Sequence, residues 1–207
     1  GLVAVMYIWY RARKITNRYL TFIPLMDHAQ ALRDLSNDRE IPKFATHLVY
    51  LTKADRPTEV ERQIISSILA KKVKRAEIYW FVHINYTDEP YTMEYKVTEM
   101  IDDKVIRVDF DLGFRVQPRV NLLFRRVLEE LDADHELNFR SKYESIKKGD
   151  FHTDICYVLT ERFLSVENEF SLRDDLVLDI YYALKHFALS DREAMGLDPN
   201  VTLVEKV

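Results

Sequence analysis

The sequence predicts an α/β fold: a mixed sheet of about five strands with helices on its faces, preceded by the end of a transmembrane helix. Three observations carry this expectation. Two short apolar runs, 45–52 and 78–84, flank a helical pattern, and neither alternates, as expected of strands buried on both faces. Two later segments, 93–98 and 106–112, do alternate apolar with polar residues, which suits a hairpin with one polar face. The first ten residues are apolar, end in aromatics and lead straight into basic residues. That order suits a membrane helix leaving the bilayer on its cytoplasmic side.

A chain of 207 residues fits one compact domain. It is 47% hydrophobic and 31% charged, an ordinary balance with enough apolar mass for a core. With 4 Gly and 6 Pro there is no low-complexity linker. The net charge of −4 speaks against a nucleic-acid polymer as partner. Cys156 is the single cysteine and cannot form an internal disulfide, which suits a reducing compartment.

Charge is unevenly spread. Arg11, Arg13, Lys14 and Arg18 precede the first acid, Asp27. They follow the run from Leu2 to Tyr10, which contains Tyr7, Trp9 and Tyr10. The run is too short to span a bilayer, which takes about 20 residues. Its basic residues follow rather than precede it, the reverse of a signal peptide. Trp9 and Tyr10 are therefore expected at headgroup level, with Arg11, Arg13, Lys14 and Arg18 on the cytoplasmic side. The plainer reading is a buried N-terminal helix followed by a basic turn.

Further along, residues 11–22 read as a helical continuation. A helix over 24–36 follows from Leu25, Ala29, Leu32 and Leu35, and Pro42 lies in the break after it. Thr58 and Glu61 form a capping-box signature, so a helix is expected to start at Thr58 and bury Ile64, Ile65, Ile68 and Leu69. Strand, helix and strand then read as a parallel right-handed unit. Asp102 and Asp103 turn the hairpin, and Gly113 ends its second strand. Gln117-Pro118 is the expected start of a helix that buries Val120, Leu123, Phe124, Val127, Leu128 and Leu131. Residues 132–152 read as a loop with a short helix, and Ile155 to Leu159 as a buried strand. Ser171 and Asp174 are expected to cap a long helix over 172–189, and Tyr181, Tyr182 and Phe187 make it the element expected to offer a face to a second copy.

Catalytic signatures such as a Gly-rich phosphate loop, Cys-x-x-Cys or His-Glu-x-x-His do not occur in the sequence, so the chain does not read as an enzyme and requires no cofactor. His47, His83 and Cys156 read as core or edge residues. Asp102, Asp103, Asp109 and Asp111 read as a solvated strand face rather than a cation site. Lys71, Lys72, Lys74 and Arg75 read as the basic end of a helix, with anionic lipid as a second use. The stretch Gly113-Phe114-Arg115-Val116-Gln117-Pro118-Arg119 joins a strand to a helix start. Backbone N–H groups, two guanidiniums and an aromatic ring there could hold a phosphate and stack a purine. The plain alternative is a turn whose arginines are solvated or paired.

Several of these segments, in this order, resemble the C-terminal domain of KUP/HAK/KT-family potassium uptake permeases. They are the membrane exit, Ile23-Pro24-Leu25-Met26-Asp27-His28, Thr46-His47 opening a strand after Pro42, and Ile106 to Phe110 followed by Asp111-Leu112-Gly113-Phe114. The Gly-Leu-Asp-Pro-Asn segment at 196–200 and a closing strand at 201–204 complete the likeness. The resemblance implies that residues 1–22 are the end of the last transmembrane helix and its basic exit, and 23–207 a cytosolic α/β domain. It implies an upstream permease domain as partner, a place on the cytoplasmic face of the cell membrane, a homodimer, and a role in assembling or regulating proton-coupled potassium uptake. It also brings cyclic di-AMP into view as a regulatory ligand, for which Gly113, Phe114, Arg115, Gln117 and Arg119 are the candidate residues. The alternative is a nucleotide-binding sensor module attached to another membrane protein.

Overall fold

The structure is a computed structural model that describes residues 2–18, 20–133, 154–161, 172–185 and 190–206. It begins with α1 (Leu2–Arg18), β1 (Phe22–Pro24), α2 (Met26–Asn37), β2 (Lys43–Leu51), β3 (Glu59–Glu61) and α3 (Arg62–Ser66), the last continued by a π-helical turn (Ser67–Lys71). Next come β4 (Arg75–Thr87), β5 (Met93–Ile101), β6 (Val105–Gly113) and α4 (Val120–Ala133). It closes with β7 (Ile155–Glu161), α5 (Leu172–Lys185), α6 (Asp191–Ala194), a 3-10 turn (Pro199–Val201) and β8 (Thr202–Lys206). The short helix expected within 132–152, the Ser171 cap and Phe187 lie outside the described residues.

Six strands form the main sheet in the order β5-β6-β4-β2-β7-β8. β2 pairs in parallel with β4 on one side and β7 on the other, β4 with β6, and β7 with β8. Only β5 runs antiparallel, against β6. The mixed α/β sheet expected from the sequence is therefore present, with the closing strand as its sixth member. The hairpin turn falls at Asp102–Lys104, where Asp103 takes φ 57°, a left-handed conformation that a short Asp side chain tolerates.

Each face of the sheet carries its own core. On one, Trp80, Val82, Ile106, Val108, Phe110 and Tyr157 pack beneath the α4 stripe of Val120, Phe124, Val127, Leu128 and Leu131. On the other, Tyr50, Tyr79, Phe81 and Val158 meet Leu32 and Leu35 of α2 and Ile64, Ile65 and Ile68 around α3. Burying each such side chain is worth about 1.5–3 kcal/mol, so both runs that lack alternation are explained by apolar layers above and below.

Several expectations are corrected. No helix begins at Thr58: residues 59–61 form β3, which pairs with β1 in a separate two-stranded ribbon, and α3 starts at Arg62. Glu61 is not free to cap, because its carboxylate accepts Thr52 Oγ1 at 2.6 Å and the Lys53 N–H at 2.5 Å. α1 ends at Arg18, and the chain is extended by Phe22, so the helix does not continue through 22. The hairpin's polar face is not solvated throughout. Arg107 is fully buried beneath the 54–59 loop and paired with Asp109 at 2.7 Å.

The basic group after α3 does not form an exposed helix end either. Lys74 is buried and donates to the Ser67 carbonyl at 2.7 Å and to Glu205 of β8 at 2.8 Å. Arg75 opens β4 and donates to the carbonyls of Ser36 and Ile41. Cys156 is half-buried at the edge of the second core. Nor does α5 have its tyrosine face to spare: Val177, Leu178, Tyr181 and Tyr182 pack with Ala12 and Ile15 of α1 in a third small cluster.

Candidate functional site

The candidate ligand loop sits where β6 ends. Gly113 is required there by close approach: a Cβ on it would lie 2.5 Å from the Glu89 carbonyl oxygen and from the Pro90 carbonyl carbon. That neighbouring turn also takes up the loop's backbone donors. The N–H groups of Gly113, Phe114 and Arg115 donate to the carbonyls of Thr92, Glu89 and Pro90, and that of Val116 to Gly113. Of the loop's backbone donors, those of residues 113–116 are thus taken up within the protein.

The helix after the loop starts at Val120 rather than Gln117. The Arg119 N–H turns back to the Gln117 carbonyl at 2.8 Å, and the Val120 N–H donates to Met195 at 2.9 Å. The tail thus caps α4. Gly196, at φ +61°, lies against Arg119, where an added Cβ would be 3.0 Å from the Arg119 Cα.

Phe114, Arg115, Gln117 and Arg119 are all exposed. The Arg115 guanidinium lies 5.9 Å from the centre of the Phe114 ring and 6.0 Å from that of Tyr91, and it donates to the Tyr91 hydroxyl at 3.1 Å. Tyr91, which sequence reasoning missed, comes from the turn before β5, and no local pattern marked it. Arg119 reaches Gln117 Oε1 at 3.4 Å. A cation flanked by two aromatic faces, with a second guanidinium nearby in the chain, can contact an anion attached to a flat ring.

α1 presents two distinct faces. Ala12 and Ile15 are buried toward α5, Trp9 meets Tyr181 edge-on at 5.0 Å, and Arg11 pairs with Asp174 at 3.4 Å. Trp9 and Arg11 thus turn inward, away from the outer stripe. Val3, Met6, Tyr7 and Tyr10 recur at helical spacing on an exposed face that leads to Arg13 and Lys14, and Arg18 is exposed in the last turn. Arg13 lies near Tyr86 at the end of β4. Partial burial pushes the Tyr86 phenol up, and the Arg13 charge opposes that shift. Among the described residues no helix is long and apolar enough to cross a membrane, and no group of three or more His, Cys, Asp or Glu is placed to hold a metal ion.

The model of the K+ potassium transporter C-terminal domain matches residues 45–206. The chain belongs to this family. Its relatives include the probable potassium transport system protein Kup of Cytophaga hutchinsonii, 46% identical over the whole of this chain and 32% of the relative. The proteins of the same name from Flavobacterium psychrophilum and Clostridium perfringens are 43% and 34% identical, covering 32% and 31% of those relatives. The K+ transporter C-terminal domain described here thus spans about a third of the length of the curated relatives it matches. No solved structure matches it. The matched span holds the α4-covered core and the 113–119 loop, while α1 and α2 precede it, so the second core draws Leu32 and Leu35 from outside the span.

Proposed function

We propose that this chain is the cytosolic C-terminal domain of a proton-coupled potassium uptake transporter. It assembles and regulates an upstream permease domain, catalyses no reaction of its own and sits on the cytoplasmic face of the cell membrane. The family match over residues 45–206 carries the reading. The outer stripe of α1, apolar at Val3 and Met6, aromatic at Tyr7 and Tyr10, then basic at Arg13 and Lys14, supports the membrane side of it. Membership in a potassium transporter family leaves the alternative, a sensor module on an unrelated membrane protein, without support.

The test uses intact cells carrying the full transporter with single cysteines at Arg13, Lys14 or Asn17. An impermeant maleimide is expected to label them only after permeabilisation, and potassium uptake is expected to change when residues 45–207 are removed. Labelling from outside, or uptake kinetics and assembly unchanged by the truncation, overturns the reading.

A second reading concerns control. The exposed grouping of Phe114, Arg115 and Tyr91 with Arg119 favours a phosphate-bearing regulator with a flat ring, cyclic di-AMP first. The Arg115 and Arg119 guanidiniums, the Gln117 N–H and the Phe114 ring would hold it. A charge-assisted contact is worth about 1.5–3 kcal/mol, so Arg115→Ala is expected to weaken binding roughly ten- to a hundredfold. Calorimetric titration of the purified full-length protein reads this directly. Absence of binding, or equal affinity in the variant, removes the loop from the account.

A further inference from the structure

α5 lies outside both sheet cores. It packs on α1 in a cluster separate from the two sheet cores, through Ala12, Ile15 and Leu178. Trp9 meets Tyr181 while Arg11 meets Asp174. The two helices therefore run in opposite senses, and the carboxyl-terminal half of α5 lies level with the amino-terminal half of α1. Tyr181 and Tyr182, whose rings are 5.5 Å apart, consequently stand at the depth of Trp9. Together with the exposed Tyr7 and Tyr10, these rings make an aromatic level that crosses from one helix to the other. Leu176 and Ile180 are exposed apolar residues, and exposed Ala183 continues their spacing. On α1 the basic residues Arg13 and Lys14 stand below this level.

We infer that the carboxyl-terminal half of α5 lies in the lipid headgroup layer beside α1, so that the domain touches the bilayer with two helices of opposite sense. The inference rests on the proposal that α1 leaves the membrane. Rings with an apolar body and a polar hydroxyl partition to the water–lipid boundary, and basic side chains just below favour an anionic leaflet. Exposed Asp179, between Leu176 and Ile180, sets the depth: a carboxylate on this helix is accommodated among headgroups and not among acyl chains. The bilayer is a better occupant than a second copy of the chain because the aromatic level is continuous with the exposed stripe of α1.

The experiment places bimane-labelled single cysteines in the full-length transporter, reconstituted in phosphatidylglycerol–phosphatidylethanolamine vesicles. The positions are Tyr7 and Lys14 on α1, Leu176, Ile180 and Ala183 on α5, and Asp103 in the hairpin turn as reference. Quenching by a headgroup-bound nitroxide is compared with quenching by aqueous iodide. Lipid-borne quenching is expected to fall from Tyr7 to Lys14 and to rise from Leu176 to Ala183, ending several-fold above Asp103. If α1 shows its gradient while Ile180 and Ala183 behave like Asp103, this inference is overturned and the proposed function stands. If Tyr7 too behaves like Asp103, the membrane-exit reading falls and takes the inference with it. Ile180 serves as the independent position should the Ala183 variant fail to assemble.

Discussion

Arg107 shows how much one side chain can hold. Its five N–H donors are all committed: Nε and Nη2 to the Asp109 carboxylate, Nη1 to the carbonyls of Arg56 and Glu59, and Nη2 also to that of Ala54 at 2.6 Å. The guanidinium thereby fixes the 54–59 loop over the sheet. Truncating one member of a buried pair costs about 3–5 kcal/mol, because the partner charge stays buried. Arg107→Ala is therefore expected to lower stability by about that much in urea unfolding, with amide exchange rising first at 54–59. Arg107→Lys, with three donors for the same acceptors, rescues only part of it. Exchange unchanged at 54–59 in the Ala variant contradicts the assignment. Cys156 supports a second residue-scale prediction. Burial, and after it the Asp154 charge, pushes its thiol up, so at pH 8 the thiolate fraction is below that of a free cysteine. Iodoacetamide is expected to modify native Cys156 more slowly than the urea-unfolded protein, as read by intact mass; equal rates refute it.

At the scale of elements, the tail segment around α6 decides how α4 begins. Ser190 and Glu193 form a capping box, Met195 accepts the Val120 N–H, and Leu197 is buried in the core beneath α4. Gly196 makes the turn between them at φ +61°. A side chain there is strained and meets Arg119, so Gly196→Ala is expected to cost about 1–3 kcal/mol, seen as a lower urea midpoint with faster exchange at the start of α4. A midpoint at or above the parent's refutes the requirement. The hydrogen bonds from Ser190 hold the Glu193 carboxyl below its ordinary value. The contribution of this cap is therefore complete above the unfolded carboxyl value and is lost as pH falls through the folded one. An amide exchange experiment at falling pH, corrected for intrinsic rates, is expected to show α6 open before β2; simultaneous opening contradicts this.

These elements also show which signals a sequence carries. The period of α4 and the apolar side of β6 were legible because each meets the core along its whole length, at Val120, Phe124, Val127, Leu128 and Leu131 and at Ile106, Val108, Phe110 and Leu112. The Thr58–Glu61 signature misled because Glu61 is claimed by Thr52 and Lys53 across the loop. Arg107 looked solvent-facing because nothing near it in sequence announces the loop that covers it. In the candidate site, Phe114 and Arg115 were readable as neighbours, whereas Tyr91 arrives only through the turn that Gly113 admits.

For the whole molecule, α5 packs Tyr181 and Tyr182 on α1 while Leu176 and Ile180 stay exposed, and the sheet edge is a second surface for the expected homodimer. Among the described residues β5 pairs only with β6, so its outer edge remains as a surface for a second copy. Glu94 and Lys96 share one face of the strand. An antiparallel pairing centred on Tyr95 sets each Glu94 opposite the Lys96 of the other copy, a pairing that opposite charges favour. Light scattering on the detergent-purified full-length protein is expected to give two chains per particle, and Lys96→Glu to shift it toward one. A parent that runs as a monomer at micromolar concentration counts against the dimer; a Lys96→Glu variant that stays dimeric counts against this edge.

The central place of β2 carries a cost in time. It pairs on one side with β4, which follows closely, but on the other with β7, and the Thr46 N–H bonds to Asp154, 108 positions later. At ribosomal speeds of about 5–20 residues per second, that separation amounts to roughly 5–20 s of synthesis. Throughout that interval the edge of β2, with Leu48, Val49 and Tyr50, belongs to an unfinished sheet with a row of unpaired backbone groups. A nascent chain paused before Asp154 is thus the form of this protein most exposed to aggregation, and the one for which a chaperone at the ribosomal exit would matter most.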